Sequence, residues 1–484
     1  MSKYLSPKKK KRPNSNRKLL ILLAAVLVVL AVLAFAIVRI FDSTLPDSGE
    51  DKGNTDSGQT TNPDSGSTGE GNQPDGSGDA TGDGGSTQPG GEDTPVPTPA
   101  DEAEKIAEAD YLIRGYYYDE AIALLSGLTS QQAQDKLAEA EALKAGLVKY
   151  TGQTYHIFFH SLIIDTDLAF DDKGHPASGY NEWMTTRDEF VKMLPLLLEN
   201  DFVLYDITWL CEYDETTGKV MKKDIYLPEG KKPLIMSFDD MNYYDYMLTD
   251  GFAQRLDVDE NGKIVTHVGG TPVKRNGHIV DIKDYEVTYD GDAVPILDAF
   301  CEEHPEFSYR GAKGIAALTG YAGAFGWRIT DLDWYTEAEQ EMILNKVKLI
   351  AQTMRDNGWQ IANHSYTHNQ YWNNKTITMD QLKYDTGRWL NEIMPYVGES
   401  HILISPFGVS FKQDDERYRY IVEECGFYIY CPVTASMNTT FYGDNMIQER
   451  LNFDGLTMIK YPERIKKHFF DPALILDRER PPMD

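Results

Sequence analysis

Eight short apolar runs, separated by helical patterns, occupy the last two-thirds of this 484-residue chain and leave few folds open. The runs are His156 to His160, Phe202 to Tyr205, Leu234 to Phe238, Gly314 to Leu318, Trp359 to Ala362, Ile402 to Ser405, Phe427 to Tyr430 and Thr457 to Lys460. Between them lie amphipathic segments near 186–199, 293–303, 336–357, 378–396 and 414–425. Runs too short for helices, alternating with helical periodicity, read as a parallel sheet wound with helices. The expected fold is α/β: a distorted (β/α) barrel of about seven or eight strands. Residues 250–292 break the rhythm with Asn-Gly at 261–262 and 276–277 between alternating segments, which predicts a β-hairpin insertion. Asp257, Asp259, Asn261 and Gly262 imitate the start of a calcium loop, but Val268 stands where a bidentate Glu is needed.

The front of the chain has a different composition. Residues 1–41 hold nine basic residues and no acid, around an uninterrupted apolar run from Leu19 to Val38. Twenty such residues span a bilayer core of about 30 Å as a helix. The run is long for a cleaved signal peptide and leads into Arg39, Ile40 and Phe41, so an uncleaved anchor is the preferred reading. The positive-inside rule then keeps the N-terminus cytoplasmic and places the rest outside, on a single-pass cell-membrane protein. From Asp42 to about Ala100 the sequence is Gly, Ser, Thr, Asp and Pro without an aromatic residue, a linker with an end-to-end distance of about 40 Å. The expected divisions are a basic tail at 1–18, the anchor at 19–41, an acidic linker at 42–100, a helical hairpin at 101–150 and the barrel domain at 151–484. The net charge of −29 divides into +9 for residues 1–41, −11 for the linker and therefore −27 for the remainder, which argues against nucleic acid as a partner.

Residues 102–148 read as two helices, the first with Ile106, Tyr111, Leu112, Ile113, Tyr116, Ile122 and Leu125 on one stripe, the second after Ser130. The stretch Tyr118 to Leu125 looks like half of a tetratricopeptide unit, and a lone pair suits a spacer better than a binding array. The four cysteines, Cys211, Cys301, Cys425 and Cys431, could form up to two disulfides but lack zinc-ligand spacing; they read as structural or free.

The chemistry gathers at two predicted strand ends. Ser237-Phe238-Asp239-Asp240 closes one, and Asn363-His364-Ser365-Tyr366-Thr367-His368 follows another. A barrel keeps its active site at such ends. Two imidazoles four residues apart plus a carboxylate make a three-ligand site for a divalent ion, zinc being the expected one, with positions left open. Adjacent carboxylates on an extended segment point apart, so one can bind the ion while the other acts as a base.

Lys232-Pro233-Leu234-Ile235-Met236-Ser237-Phe238-Asp239-Asp240 resembles the first motif of the polysaccharide deacetylases, the NodB-homology group of carbohydrate esterase family 4. Gly358 to His368 resembles the second. The resemblance covers about residues 151–465. It implies that Asp239 is the general base, that Asp240, His364 and His368 hold the metal, and that Ser405-Pro406-Phe407-Gly408 corresponds to the third motif lining the groove. The implied function is hydrolysis of N-acetyl groups on a cell-surface polysaccharide, of peptidoglycan or poly-N-acetylglucosamine type, with acetate as product. Pro406, Phe407 and Trp372, which follows His368 in an Asn-rich loop, are the expected substrate contacts.

Three departures accompany the match. The Arg that opens the family's third motif is replaced by Ile404, the first motif ends in Met241 where Gly is usual, and Thr457 to Tyr461 lacks the late histidine that supplies the general acid. His156-Ile157-Phe158-Phe159-His160, followed by Trp183-Met184-Thr185, looks like the opening of a permuted branch, the poly-N-acetylglucosamine deacetylases, whose acid comes from the first strand. That resemblance implies His160 as the acid. Two readings compete: a catalytically silent, metal-containing glycan-binding wall protein, and a scaffold built on the helical pair.

Overall fold

Strand Lys232–Phe238 is buried along all but its first residue, and the sheet is built around it. The computed structural model describes residues 99–434 and 436–483. Strand Tyr155–Phe159 pairs with one side of the central strand; on the other side Phe202–Leu204 pairs with its start and Ile315–Leu318 with its end. The sheet continues in parallel through Gln360–Asn363, Ile402–Ile404 and Ile429–Cys431. The segment 446–452 joins its two margins. Its first half pairs with Ile429 and Tyr430, and its second half with Ile157 and Phe158, so the sheet curls into a barrel-like form.

Alternating residues of these strands face two different layers, as the two-residue period of a strand requires. Leu234, Met236 and Phe238 join the cluster that packs on the helices, with Phe190, Leu194, Leu297, Val347 and Trp389. Ile235, Ala317, Ala362, Ile404 and Cys431 face the other layer, where small side chains suit the curl. Helices Arg187–Glu199, Glu337–Asp356 and Met379–Glu392 each begin with a capping box, at Thr186/Glu189, Thr336/Glu339 and Thr378/Gln381. Each box satisfies backbone donors that would otherwise be orphaned. Gly358, at φ +89°, turns the chain from the second of these helices into strand Gln360–Asn363. A Cβ there would collide with the Gly311 carbonyl, so only glycine fits.

The hairpin insertion has the expected form. Arg255–Val258 pairs with Ile264–Val268, and Thr271–Arg275 with His278–Lys283. Asn276 and Gly277 both have positive φ, as a tight primed turn demands. Asp259 accepts from the Asn261 and Lys263 amides and from the Tyr289 hydroxyl, the work of a turn carboxylate. All four cysteines are free.

Four expectations are corrected. Thr457 to Lys460 belongs to helix Gly455–Lys460, capped by the Asp454 side chain on the Thr457 amide; the final strands are Met446–Gln448 and Leu451–Asn452. The N-terminal pair is three helices, Pro99–Arg114, Tyr118–Leu125 and Gln131–Ala145, because Tyr116 takes a left-handed conformation and breaks the first stripe. The first of these begins within the stretch read as linker. The single-pass cell-membrane placement is overturned: among the described residues no helix is long and apolar enough to cross a membrane. The segments read as basic tail, anchor and most of the linker lie outside the described residues.

Candidate active site

Strand register brings the chemistry-bearing residues to one rim. Phe159 pairs with Phe238 and Leu318 with Asn363, so His160, Asp239, Thr319 and His364 all emerge just past the strand ends. Backbone bonds hold that level: the Asp239 amide donates to the Phe159 carbonyl at 2.8 Å and the His364 amide to the Leu318 carbonyl at 2.9 Å. A cavity of about 500 Å³ opens there, lined in part by His160, Trp183, Asp239, His364, His368 and Phe407.

Asp240, His364 and His368 offer ligand atoms that all lie within 4.8 Å of one another. His364 donates from Nδ1 to the Ile404 carbonyl at 2.8 Å, which leaves Nε2 as the free ligand nitrogen. Burial lowers the pKa of His364 despite the opposing pull of Asp239 and Asp240, which favours the neutral form that a metal requires. Burial would raise Asp240, but the imidazoles of His368, His364 and His160 outweigh it and hold the carboxyl at about 2. The Tyr244 hydroxyl donates to Asp240 Oδ1 at 2.5 Å and meets Thr319 Oγ1 at 2.9 Å. An anionic oxygen and two imidazole nitrogens form a donor set that fits zinc or a similar divalent ion.

Asp240 and His368 both sit in the left-handed region, at φ 59° and 42°. That conformation costs on the order of 1 kcal/mol or more for a non-glycine residue and must be held by its surroundings. Asp385, buried on helix Met379–Glu392, holds the loop of His368: its carboxylate accepts from the Tyr366 and Thr367 amides, each at 2.9 Å, and from Thr367 Oγ1 at 2.5 Å. The His368 amide adds a bond to Ser365 Oγ at 3.0 Å.

Arg450 supplies what the sequence had appeared to lack. It is 0% exposed, donates from Nη1 to Asp239 Oδ1 at 2.7 Å and to Ser237 Oγ at 3.2 Å, and lies over the Phe158 ring. Its Nε donates to the Cys431 carbonyl at 3.2 Å, so the guanidinium is anchored as well as paired. The cation comes from the closing segment, not from the Ile404 strand. Residues 446, 448 and 450 share the buried face of that segment, although Met446, Gln448 and Arg450 show no apolar alternation in the sequence.

The other expected contacts divide. His160 donates from Nδ1 to the Trp183 carbonyl at 3.0 Å, and its ring lines the cavity. Phe407, 37% exposed, packs on His368 with ring centroids 4.2 Å apart, while Pro406 is buried behind it. Trp372 is 1% exposed and packs on Phe411; it is a core residue, and the indole at the cavity is Trp183, 49% exposed. The backbone on either side of Trp183 is held by Arg480. Arg480 donates to both carboxylate oxygens of buried Glu189, to the Asn181 carbonyl and to the Met184 carbonyl.

The fold and site together define a barrel-like α/β protein with a metal-ready carboxylate–imidazole cluster beside a buried Asp–Arg pair. No family model and no curated protein matches the chain. A solved structure from a study of the structure and mechanism of a de-N-acetylase of Aggregatibacter actinomycetemcomitans is similar over 66% of this chain and all of its own, with 14% identity and a TM-score of 0.37.

Proposed function

We propose that this protein is a metal-dependent hydrolase that removes N-acetyl groups from a polysaccharide and releases acetate. The observation that supports the reading best is the Arg450–Asp239 ion pair set beside the Asp240, His364 and His368 cluster in one cavity. A carboxylate held by a buried guanidinium next to three metal ligands is a base placed against a Lewis-acid site.

Asp240, His364 and His368 would hold the ion, with zinc the best fit to the donor set. Bound there, a divalent cation supplies Lewis acidity toward an amide carbonyl and toward water. Asp239 takes the proton of the attacking water, while Arg450 fixes the carboxylate's direction and charge. His160, donating from Nδ1 to the Trp183 carbonyl, presents Nε2 to the departing nitrogen and delivers the proton that turns it into an amine. The C–N bond breaks, a C–O bond forms, and acetate leaves a sugar carrying a free amine. Phe407 and Trp183 offer aromatic faces to the pyranose ring.

The test is acetate release from N-acetylglucosamine oligomers by the full chain supplied with zinc or cobalt, beside its Asp239→Asn variant. Release that vanishes in the variant, with metal content retained, is the expected result. A folded, metal-loaded protein that releases nothing from any N-acetylated oligomer would favour glycan binding without hydrolysis.

A further inference from the structure

Asp240 also bonds a row of stacked rings that are not part of the cavity lining. Tyr244, whose hydroxyl bonds Asp240, lies parallel to Tyr321 at 5.3 Å between centroids and 8° between planes, and to Tyr246 at 5.6 Å and 11°. His175 packs on Tyr246 at 4.6 Å. Tyr244 is buried, but Tyr321 is 45% exposed and Tyr246 is also open to solvent.

The loop that carries Tyr321 is fixed. Its amide and that of Gly320 both donate to the Tyr366 carbonyl, at 2.8 and 3.0 Å. Asn242, fully buried, accepts from the Thr319 amide and donates to the Thr319 and Gly323 carbonyls. An exposed ring on a loop held this firmly keeps its orientation without losing conformational entropy when a ligand arrives. Aromatic faces held in that way suit the C–H face of a pyranose, and the tyrosine hydroxyls add hydrogen-bonding groups at its edge.

We propose that Tyr321, backed by Tyr244 and Tyr246, is a sugar-binding subsite that seats a unit of the polysaccharide flanking the one whose N-acetyl group reaches the metal ligands. Aromatic rings then meet the metal-ligand cluster at two of its members, Phe407 on His368 and the tyrosine row on Asp240. A polymer crosses the site, and the protein acts on internal units of a chain in preference to short fragments. This inference rests on the hydrolase reading for its substrate, but its binding test does not need turnover.

Full-length protein loaded with zinc is given N-acetylglucosamine oligomers of two to six units, and KM is compared between the natural sequence and Tyr321→Ala. The ratio of variant to natural KM is expected to climb with oligomer length, reaching about five-fold at the longest, the scale of one lost aromatic contact. Tyr321→Phe, which keeps the ring, restores most of the loss. A ratio independent of length overturns the subsite. If the natural protein releases no acetate, the hydrolase reading fails, and calorimetric titration of the six-unit oligomer decides the subsite alone: weaker binding by Tyr321→Ala upholds it, and equal binding overturns it.

Discussion

Arg450 and Asp239 are 211 positions apart in sequence and meet at 2.7 Å, both buried, at the rim of the sheet. The strand that delivers Asp239 is central, whereas Arg450 lies within the closing segment 446–452, so the pair ties that segment to the middle of the curled sheet through one charge contact.

Replacing Arg450 should therefore damage both fold and rate. Arg450→Met leaves a buried carboxylate without its partner and is expected to cost about 3–5 kcal/mol of stability. Misdirecting the base should lower kcat by about 10²-fold. The double variant with Asp239→Asn should recover part of the stability and none of the activity. Urea unfolding and acetate assays read the two effects; unchanged stability in Arg450→Met would show that the pair is not what holds Asp239.

His160 offers a cleaner separation, because its ring lines the cavity and is not a member of the metal cluster. His160→Ala should keep metal content and thermal midpoint while lowering kcat by about 10²–10⁴-fold, the range for one acid–base group. Undiminished turnover would remove it from the mechanism.

Asp385 reaches the metal cluster only through the loop it holds. Asp385→Ala removes three charge-assisted bonds from Tyr366 and Thr367 and frees a segment that contains a left-handed His368. Zinc affinity, measured by competition with a chromophoric chelator, is expected to fall by about 10–100-fold, as it does when groups orienting metal ligands are lost. Affinity equal to that of the natural protein would mean the loop holds its shape without the carboxylate.

Two buried imidazoles should draw stability down on mild acidification. His156 is fully buried, with Nε2 on Ser237 Oγ, and burial followed by repulsion from Arg450 keeps its pKa well below the usual imidazole range. His267 is pushed down to about 4, first by burial and then by Arg255. Both stay neutral in the fold while the unfolded chain takes up protons near 6.5, so unfolding gains protons as pH falls from about 6.5 toward 4. Each ring should take up to about 1.4 kcal/mol per pH unit from the unfolding free energy in that window, while Asp298, which burial raises to about 6, works in the opposite direction. Urea unfolding of His267→Gln should therefore show a shallower fall from about pH 6.5 to 4 than the natural protein, and an unchanged slope would contradict the burial assigned to that ring.

How much of this was legible in the sequence depended on how local the signal was. Asp239, Asp240, His364 and His368 lie in two short motifs that each finish a strand, so residue type and spacing sufficed to place them at one rim. The hairpin insertion was equally local, since Asn276-Gly277 sets its own turn. Arg450 was not legible, because its function exists only through pairing with a distant strand, and its own strand is split into two short pieces. Thr457 to Lys460 had an apolar look that hid the Asp454 cap, and Trp372 sat beside the right histidine but turned into the core. Exposed and buried aromatics carry the same letters, and only packing separates them.

The closing pair Ile157 and Leu451 also sets a timetable. Nearly three hundred residues separate the two strands that must meet, and loops of that length close slowly relative to local hairpins and helices. Until the closing strand docks, Asp239 has no guanidinium beside it, so a newly made chain can fold its histidine loop and its hairpins long before it owns a working base. Under the proposed mechanism, competence would therefore wait for that closure.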